Sequence, residues 1–383
     1  MLETHLKIAW VHNAYIEYRT PLFEKISSKY DVNFFFEWFD RSFAKNESKF
    51  HFRFLKSYTI QSEYSFSPLL FFNLLKGRYN LFIAGSIGQI NTYITYFISR
   101  LLRKPFIFWD ENWYLPRTKL RVLIWPFILL ILRNAAAIVV PGSRSKEYYL
   151  SISQILKDRI FVAPNTSVLP PAEEQTYREI ENIRETLKLK GKKIILYVGR
   201  LTRIKGFNYL LDAFLRLNAI YPDTALVVVG GKYGDTQKYG SIDFSLDPKD
   251  LAKHSVYLVG WKCNPEKAAY FLLADVVVVP SIFDSNKCEV WGFAVNEAMS
   301  AGKPVIVTKA VGAAYDLVRD GINGYIVPDK DPDALCDAII SIIENPCIQK
   351  RMGAQSFSIL QSGFTYENMV LGFDDAIAYA SSG

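Results

Sequence analysis

Histidine and cysteine are scarce in this sequence, with four of each among 383 residues. The histidines are scattered along the chain, and the cysteines form no C-x-x-C pair. Zinc sites need these residues at short, fixed spacings. No DxD-type pair stands at a strand end in a context suited to metal binding either. The sequence therefore predicts no bound metal, no cofactor, idle thiols and a reducing compartment.

Long hydrophobic runs are also absent, and we expect no leader peptide. No apolar run reaches the ~18 residues of a membrane-spanning helix. The longest, residues 122–132, is closed by Arg121 and Arg133. The N-terminus leads directly into a predicted strand, LKIAWVH, with no secretory pattern before it. We expect a cytoplasmic protein, free or peripheral on the cytoplasmic face of a membrane.

Basic charge is concentrated in the first part of the chain. Residues 1–168 contain 22 Lys and Arg against 12 Asp and Glu, a net charge of +10, whereas the remainder contains 23 against 26, a net charge of −3. Such asymmetry indicates an anionic partner for the first part only. On charge alone, the anionic partner is either nucleic acid or an anionic membrane. No nucleic-acid-binding module is recognisable, so the membrane is favoured.

Short apolar strands alternate with helices in both halves of the chain, which is typical of doubly wound parallel sheets. A length of 383 residues exceeds what one core usually serves, and the pair Pro170-Pro171 indicates a linker. We predict an α/β protein with two Rossmann-like domains. The first spans 1–168, the second spans 169–363, and a C-terminal helix, 364–383, packs back toward the first domain.

The most informative motif contains two glutamates eight residues apart, in KCEVWGFAVNEAMSAGKPVI. Glu289 is predicted to lie in a loop, and Glu297 more than one turn into the helix that follows. Gly292 permits close approach of a ligand to the backbone, and the helix start offers free N–H groups to an anion. Carboxylates at two depths can bind two sets of hydroxyl groups on one ligand.

A second motif, KKIILYVGRLTRIKGFNYLLDAF, follows a predicted buried strand. Arg200 and Lys205 flank a loop that ends at Gly206, at the start of a helix. A diphosphate needs fixed cations together with helix-terminal N–H groups. A solvated basic loop is the alternative interpretation of these two residues when the motif is taken alone.

Together with GKPVIVTKAVGAAYDLVRDGINGYIVPDKDPDAL, these motifs cover roughly residues 190–345. In order and spacing they resemble the retaining GT-B glycosyltransferases, in particular family 4. The resemblance implies two Rossmann-like domains facing across a cleft, and a nucleotide-diphosphate sugar, with UDP or GDP, as donor. It implies transfer to a glycan or a lipid-linked glycan without a metal.

The resemblance also assigns roles to individual residues. Arg200 and Lys205 would stabilise the diphosphate, Glu289 would lie near the transferred sugar, and Glu297 would bind the ribose hydroxyls. The remaining donor-binding candidates are Gly260 and Trp261 near the base, and Trp291, Gly292 and Phe293 near the sugar. Trp261 is equally well explained by simple packing.

The N-terminal half departs from the family pattern. The loop expected after the first strand lacks the glycine pair of many members and contains His12, Asn13 and Arg19 instead. Arg19 is a candidate side-chain contact to the donor phosphate. Where many members have a histidine after the fourth strand, this chain has Asp110 and Glu111. Either carboxylate could act as a base or orient an acceptor hydroxyl, or form a strand-end turn.

Three alternatives stay open. The run at 122–132 is either a buried helix or part of a membrane-binding surface. A GT-B nucleotide-sugar epimerase would share the architecture. A non-catalytic nucleotide-sugar-binding partner subunit would share the donor site, and the altered N-terminal loop leaves room for it.

Overall fold

The computed structural model describes residues 6–39, 49–60, 64–114, 118–230, 248–284 and 287–382. The chain divides into two compact units. Unit 1 comprises Met1–Thr166 together with Phe364–Gly383, and unit 2 comprises Ser167–Gly363. Each unit has its own parallel sheet and its own hydrophobic core.

Strands and helices alternate along most of unit 1. In chain order its elements are β1 (Lys7–Tyr15), α1 (Thr20–Ser27), β2 (Asp31–Phe39), β3 (Phe52–Phe54), β4 (Tyr58–Ile60), β5 (Tyr64–Phe66), α2 (Pro68–Lys76), β6 (Leu81–Gly85), α3 (Ile90–Leu101), β7 (Phe106–Trp109), α4 (Lys119–Asn134), β8 (Ala137–Val140), α5 (Ser143–Ile152) and β9 (Ile160–Val162). Seven strands form a parallel sheet in the order β3-β2-β1-β6-β7-β8-β9, and β4 pairs with β5.

Unit 2 repeats this alternation around a second parallel sheet. Its elements are α6 (Glu174–Thr186), β10 (Lys193–Val198), α7 (Phe207–Ile220), β11 (Thr224–Val229), α8 (Pro248–Lys253), β12 (Val256–Gly260), α9 (Asn264–Leu273), β13 (Val276–Val279), α10 (Phe293–Ser300), β14 (Val305–Thr308), α11 (Ala314–Leu317), β15 (Gly324–Val327), α12 (Pro332–Ile343) and α13 (Pro346–Gly363). The strand order is β12-β11-β10-β13-β14-β15.

The two parallel α/β sheets confirm the predicted fold class. The central strands β7, β8, β13 and β14 are buried at every position, as expected for strands that helices cover on both faces. In each sheet the strand order reverses beside the first strand, next to β1 in unit 1 and next to β10 in unit 2. Ligands of open α/β sheets bind outside the carboxyl ends of the strands at such positions.

Helix α4 is buried on one side and exposed on the other. Ile128, Ile131 and Leu132 belong to the core, whereas Leu123 and Phe127 are 73% and 61% exposed. The interpretation of residues 122–132 as a buried helix is therefore wrong for the outer face, because the rest of unit 1 covers only one side of the helix. None of the helices in the described ranges is long and apolar enough to cross a bilayer.

The last helix of the chain, α14 (Tyr366–Ser382), belongs to unit 1. Phe373 packs against two tryptophans of the sheet, with ring centroids 4.7 Å from Trp10 and 5.2 Å from Trp109. Gly372 lies against β9, since a Cβ there would approach the Val162 carbonyl oxygen to 2.3 Å. The helix thus completes the core on one face of the sheet.

Because Phe373 fills this core, Phe373→Ala should lower the free energy of unfolding by about 3–5 kcal/mol, the usual cost of removing a buried phenylalanine ring. Urea denaturation measures the change. Leu371 on the same helix is 53% exposed, so Leu371→Ala should stay within about 0.5 kcal/mol of the unmodified protein. Equal losses in the two variants would contradict this account of the helix.

Candidate functional site

Three loops meet at the carboxyl edge of the unit 2 sheet, and backbone hydrogen bonds join them. The Ile282 N–H, after β13, donates to the Ile204 carbonyl, after β10, at 2.8 Å. The Gly312 N–H, after β14, donates to the Glu289 carbonyl at 3.0 Å. The loops that carry the two sequence motifs are therefore one connected structure at the position where the strand order reverses.

Two glycines make this close packing possible. Gly206 has φ of +62°, and a Cβ there would stand 1.9 Å from the Pro280 carbonyl oxygen. Gly292 has φ of +95°, and a Cβ there would stand 2.8 Å from a methyl group of Val311. Both residues directly precede a helix, α7 or α10. Glycine is required at each because of the positive φ and the lack of space.

Lys205 and Glu289 form an ion pair across these loops. Their side chains are 20% and 15% exposed, so the pair lies at the surface of the edge but is largely enclosed. The Ser281 hydroxyl also donates to Glu289 Oε2, at 3.3 Å. Burial, and next the charge of Glu289, raises the pKa of Tyr197, which keeps this phenol neutral beside the pair. The structure thus brings together two of the predicted residues.

Arg200 lies at the start of the loop that follows β10, and its side chain is exposed. Its backbone is fixed, because the Tyr197 hydroxyl donates to the Arg200 carbonyl at 2.9 Å. An exposed guanidinium on a fixed backbone is free to meet an anion. The alternative of a solvated basic loop fits the side chain of Arg200 in this structure, but does not fit Lys205.

Glu297 lies in the second turn of α10 and is 6% exposed. Its Oε1 accepts hydrogen bonds from Lys267 Nζ at 2.7 Å and from the Ser167 hydroxyl at 3.0 Å. The motif did not reveal these two partners. Because a buried carboxylate requires partners, a glutamate in an otherwise apolar helix indicates that partners exist. The sequence could not identify which residues provide them.

The other predicted donor-binding residues differ in their surroundings. Trp291 is 3% exposed and donates from its indole N–H to Asn296 Oδ1 at 2.8 Å. Its side chain therefore packs within unit 2, and only its backbone could serve a ligand. Trp261 is 59% exposed beside Gly260, whose φ is +76°, and simple packing does not account for it. Phe293 is half-buried at the first turn of α10.

Within the described ranges, no group of three or more His, Cys, Asp or Glu side chains stands where it could hold a metal ion. The positive charges at this edge are those of the protein's own side chains. They include those of Arg200, Lys205 and Lys267, and the N-terminus of α10 lies at the same edge.

In unit 1, His12 and Asn13 lie within β1 and not in a loop after it. The predicted loop is shorter than expected because β1 stays paired with β2 as far as Tyr15. Arg19 ends a short 3-10 helix, Glu17–Arg19, and is 4% exposed. The prediction of Arg19 as a side-chain contact to the donor phosphate needs correction, because this guanidinium is buried within unit 1.

Arg19 is held by Glu111 and Trp109. Arg19 Nη2 lies 2.5 Å from Glu111 Oε1, and the guanidinium carbon lies 4.5 Å from the Trp109 ring centroid. Asn165 Nδ2 also donates to Glu111 Oε1, at 2.8 Å. Burial alone would raise the pKa of Glu111, but the Arg19 charge and these hydrogen bonds lower it below its ordinary value. Glu111 is therefore a carboxylate, with a side chain 29% exposed.

Asp110 has different surroundings and is 1% exposed. Its carboxylate accepts hydrogen bonds from the Tyr149 hydroxyl, from the Asn112 side chain at 3.0 Å, and from the Ile87 N–H at 3.4 Å. Burial raises its pKa, and these partners oppose the rise. The contacts join the end of β7 to helix α5, so Asp110 fits the strand-end interpretation, and Glu111 is the accessible member of the pair.

His12 packs on Trp109 with ring centroids 4.7 Å apart, and its Nδ1 lies 3.0 Å from the Ala14 carbonyl oxygen. Burial, and next the positive charge of Arg19, lowers the pKa of His12 to about 3. The imidazole is therefore neutral near pH 7. A neutral ring within β1 fits a structural role better than that of a proton carrier.

The depressed pKa of His12 predicts a specific dependence of stability on pH. Between pH 6.5 and 3 the unfolded chain binds a proton that the folded chain excludes, so stability falls as the pH falls through that range. Relative to His12→Gln, the unmodified protein should lose up to about 1.4 kcal/mol per pH unit below pH 6. Urea denaturation at pH 7 and pH 5 tests this.

The exposed residue His51 supplies the matched control, and His51→Gln should follow the unmodified protein at both pH values. Identical pH dependence in the His12→Gln variant and the unmodified protein would show that the ring is not buried as described.

Comparison with known proteins identifies the C-terminal part of the chain. Residues 179–358 match the family described as "Glycosyl transferases group 1". The chain is 28% identical over 249 residues to the lipopolysaccharide 1,2-N-acetylglucosaminetransferase of Salmonella typhimurium, an alignment that covers 63% of this chain and 62% of that protein. It is 32% identical over 160 residues to the phosphatidyl-myo-inositol mannosyltransferase of Mycobacterium leprae, with 42% and 39% covered. The chain thus spans less than two thirds of the length of these relatives.

The fold has a solved counterpart. The Anabaena protein HepE in complex with UDP and glucose superimposes with a TM-score of 0.73 and 17% identity, covering 98% of this chain and 100% of that one. A likeness at this identity establishes the fold alone. The GT-B fold implied by the sequence resemblance is confirmed.

Proposed function

Because residues 179–358 belong to the glycosyl transferases group 1 family, we propose that this chain is a retaining, metal-independent glycosyltransferase of the family 4 type. It moves a sugar from a nucleotide-diphosphate donor to a glycan or lipid-linked glycan. The observation that carries the proposal is the Lys205–Glu289 ion pair at the reversal of strand order in unit 2, beside the exposed Arg200.

The donor diphosphate binds between Arg200 and Lys205. A lysine ammonium has three N–H donors, so Lys205 can keep its bond to Glu289 and still donate to phosphate oxygens. When the bond to the sugar breaks, negative charge develops on the leaving diphosphate, and positioned cations stabilise that charge. These side chains take the role that a divalent metal has in other enzymes of phosphate chemistry.

The two glutamates bind hydroxyl groups of the donor. An ionised carboxylate offers about four acceptor positions on two oxygens. Glu289 lies beside Lys205 and Ser281 at the carboxyl edge of the unit 2 sheet, which supports a role for its carboxylate at the sugar. In Glu297, Oε1 receives the bonds from Lys267 and Ser167, so Oε2 is the candidate atom for the ribose hydroxyls.

Unit 1 is the proposed acceptor-binding unit, with Glu111 oriented toward an acceptor hydroxyl. Its ionisation is secured by Arg19, so it can accept a hydrogen bond or a proton. Gly260 and Trp261 at the end of β12 are proposed to contact the nucleotide base. An exposed indole that follows a strand end supports this assignment.

The donor site is tested with UDP-, GDP-, ADP- and dTDP-sugars, with and without EDTA. We expect slow release of one nucleotide, insensitive to EDTA. Glu289→Gln should reduce the rate by about 10²–10³-fold, the usual effect of removing one group that stabilises the transition state. Lys205→Met should weaken binding of the nucleoside diphosphate about 10–100-fold.

Arg203 supplies the control for Lys205. It lies on the same turn with a side chain 75% exposed, and Arg203→Gln should leave nucleotide binding nearly unchanged. Nucleotide binding without turnover, even with membrane extract as an acceptor source, would favour a non-catalytic partner subunit. Loss of activity on adding EDTA would refute the metal-independent mechanism.

We also propose that unit 1 binds the cytoplasmic face of an anionic membrane. The net charge of unit 1 supports this, at +7, the sum of +10 over residues 1–168 and −3 over residues 364–383. Exposed apolar side chains on three of its helices also support it, namely Leu69, Phe72, Phe97, Leu101 and Phe127. The names of both relatives contain a lipid-linked acceptor, a lipopolysaccharide or a phosphatidylinositol. Apolar insertion and attraction of basic residues to anionic lipid act together in such binding.

Co-sedimentation with vesicles tests the membrane contact. The protein should bind vesicles that contain anionic phospholipid, and should bind less at high salt because the attraction is screened. Phe127→Ser should reduce binding by roughly tenfold, as expected for loss of one inserted aromatic side chain. Phe357 in unit 2 is similarly exposed, at 48%, and Phe357→Ser should bind as the unmodified protein does. Equal binding to zwitterionic vesicles would refute the electrostatic part.

A further inference from the structure

A pocket of about 690 Å³ lies along α4, α5 and the 3-10 turn Gln154–Arg159 in unit 1. We call it the α4–α5 groove, and its lining residues are Tyr114, Arg121, Val122, Trp125, Leu129, Leu132, Arg133, Tyr148, Ser151, Ile152, Ser153 and Leu156. This volume is in the range of small-molecule binding sites. The groove belongs to unit 1 alone and is separate from the donor residues of unit 2.

The groove has an apolar wall on its α4 side, and Tyr148, Ser151 and Ser153 add polar groups on its α5 side. Trp125, Leu129 and Leu132 recur at the spacing that places residues on one face of a helix. The inner residues Leu132 and Leu156 are 2% and 1% exposed, so they form a closed floor. This surface is suited to a hydrocarbon chain, because such a chain gains free energy in proportion to the apolar area removed from water.

The charges on the groove have one sign. Its lining contains two arginines and no Asp or Glu. Arg121 and Arg133 are twelve residues apart on α4, which corresponds to ~18 Å along a helix axis. Arg121 thus places a cation at one end of the apolar α4 wall, a pattern complementary to an anionic amphiphile.

One end of the groove leads toward the acidic pair of unit 1. Tyr114 follows the end of β7, three residues after Glu111. Tyr148 adjoins Tyr149, whose hydroxyl donates to Asp110. Burial, and next the charge of Asp110, raises the pKa of Tyr148 to about 12, while Arg121 opposes the rise. The Arg121 end therefore adjoins the carboxyl edge of the sheet, and the Arg133 end lies at the opposite end of the helix.

We propose that the α4–α5 groove binds the hydrocarbon chain of a single-chain lipid phosphate, with the phosphate at Arg121 and the chain running along Trp125 and Leu129 toward Arg133. The inference rests on the proposed function, and it names the acceptor class as a lipid-phosphate-linked glycan. The lipid is held so that the group attached to its phosphate lies at the Glu111 end. Two sources share this chemistry, an isoprenoid phosphate and a monoacyl glycerol phosphate.

Binding is measured with the full chain by quenching of tryptophan fluorescence and by calorimetry, below the aggregation concentration of each probe. The probes are geranylgeranyl phosphate, a monoacyl glycerol phosphate, geranylgeraniol and inorganic phosphate. We expect at least one of the two lipid phosphates to bind, the alcohol to bind more weakly and inorganic phosphate not to bind. The tighter of the two lipid phosphates identifies the source of the chain.

Variants locate the site. Leu129→Gln should weaken lipid-phosphate binding about tenfold, because a buried apolar contact is lost. Arg121→Gln should weaken binding of the two lipid phosphates and leave binding of the alcohol unchanged. If Leu129→Gln fails to fold, Ser151→Trp fills the groove from an exposed position and should have the same effect. Ile155 is 74% exposed beside the groove and outside its lining, so Ile155→Gln serves as the matched control and should bind normally.

No binding of either lipid phosphate would overturn the proposal, as would unchanged binding in both Leu129→Gln and Ser151→Trp. Donor hydrolysis by the unmodified protein is a separate measurement. Hydrolysis without lipid binding would refute the lipid-binding role of the groove and still support the glycosyltransferase function. Lipid binding without hydrolysis of any donor would support the lipid-binding role of the groove and refute the glycosyltransferase function.

Discussion

The ion pair between Lys205 and Glu289 is the contact on which the candidate donor site depends. It joins loops that leave β10 and β13, two strands that are adjacent in the sheet but far apart in the chain. An ion pair that is only partly exposed gains more from attraction than a surface pair does, and its members cannot be separated without a desolvation cost. Gly206 and Gly292 bring the two loops close enough to form it.

Other charged side chains near the strand ends are also paired and well enclosed. Glu297 bonds to Lys267 in unit 2, and Arg19 bonds to Glu111 in unit 1. Removing one member of such a pair leaves a buried charge without compensation, which costs more than the pair itself contributes. The pairs therefore hold their carboxylates in fixed orientations before any ligand arrives. Preorganisation of this kind is what charge stabilisation in a transition state requires.

Unit 1 separates its polar and apolar surfaces. Its strand ends carry the Arg19–Glu111 ion pair and, separately, Asp110 with its hydrogen bonds to Asn112 and Tyr149. Helix α4 instead presents apolar side chains between basic residues. A parallel sheet places all its carboxyl ends at one edge, so polar loops collect there, while the covering helices are left to meet other partners. The proposed transfer to a lipid-linked glycan uses both kinds of surface.

The sequence by itself determined the two parallel sheets, the family resemblance and the placement of Glu289 and Glu297 on a loop and a helix. Run length, periodicity and glycine position are local properties, and they need no knowledge of distant contacts. Only the tertiary structure decided that β1 extends through His12, that Arg19 turns inward to Glu111, that Lys267 pairs with Glu297, and that α4 keeps one face exposed. Those outcomes depend on which side chains meet across the fold, and burial and charge pairing between distant residues are not encoded in local pattern.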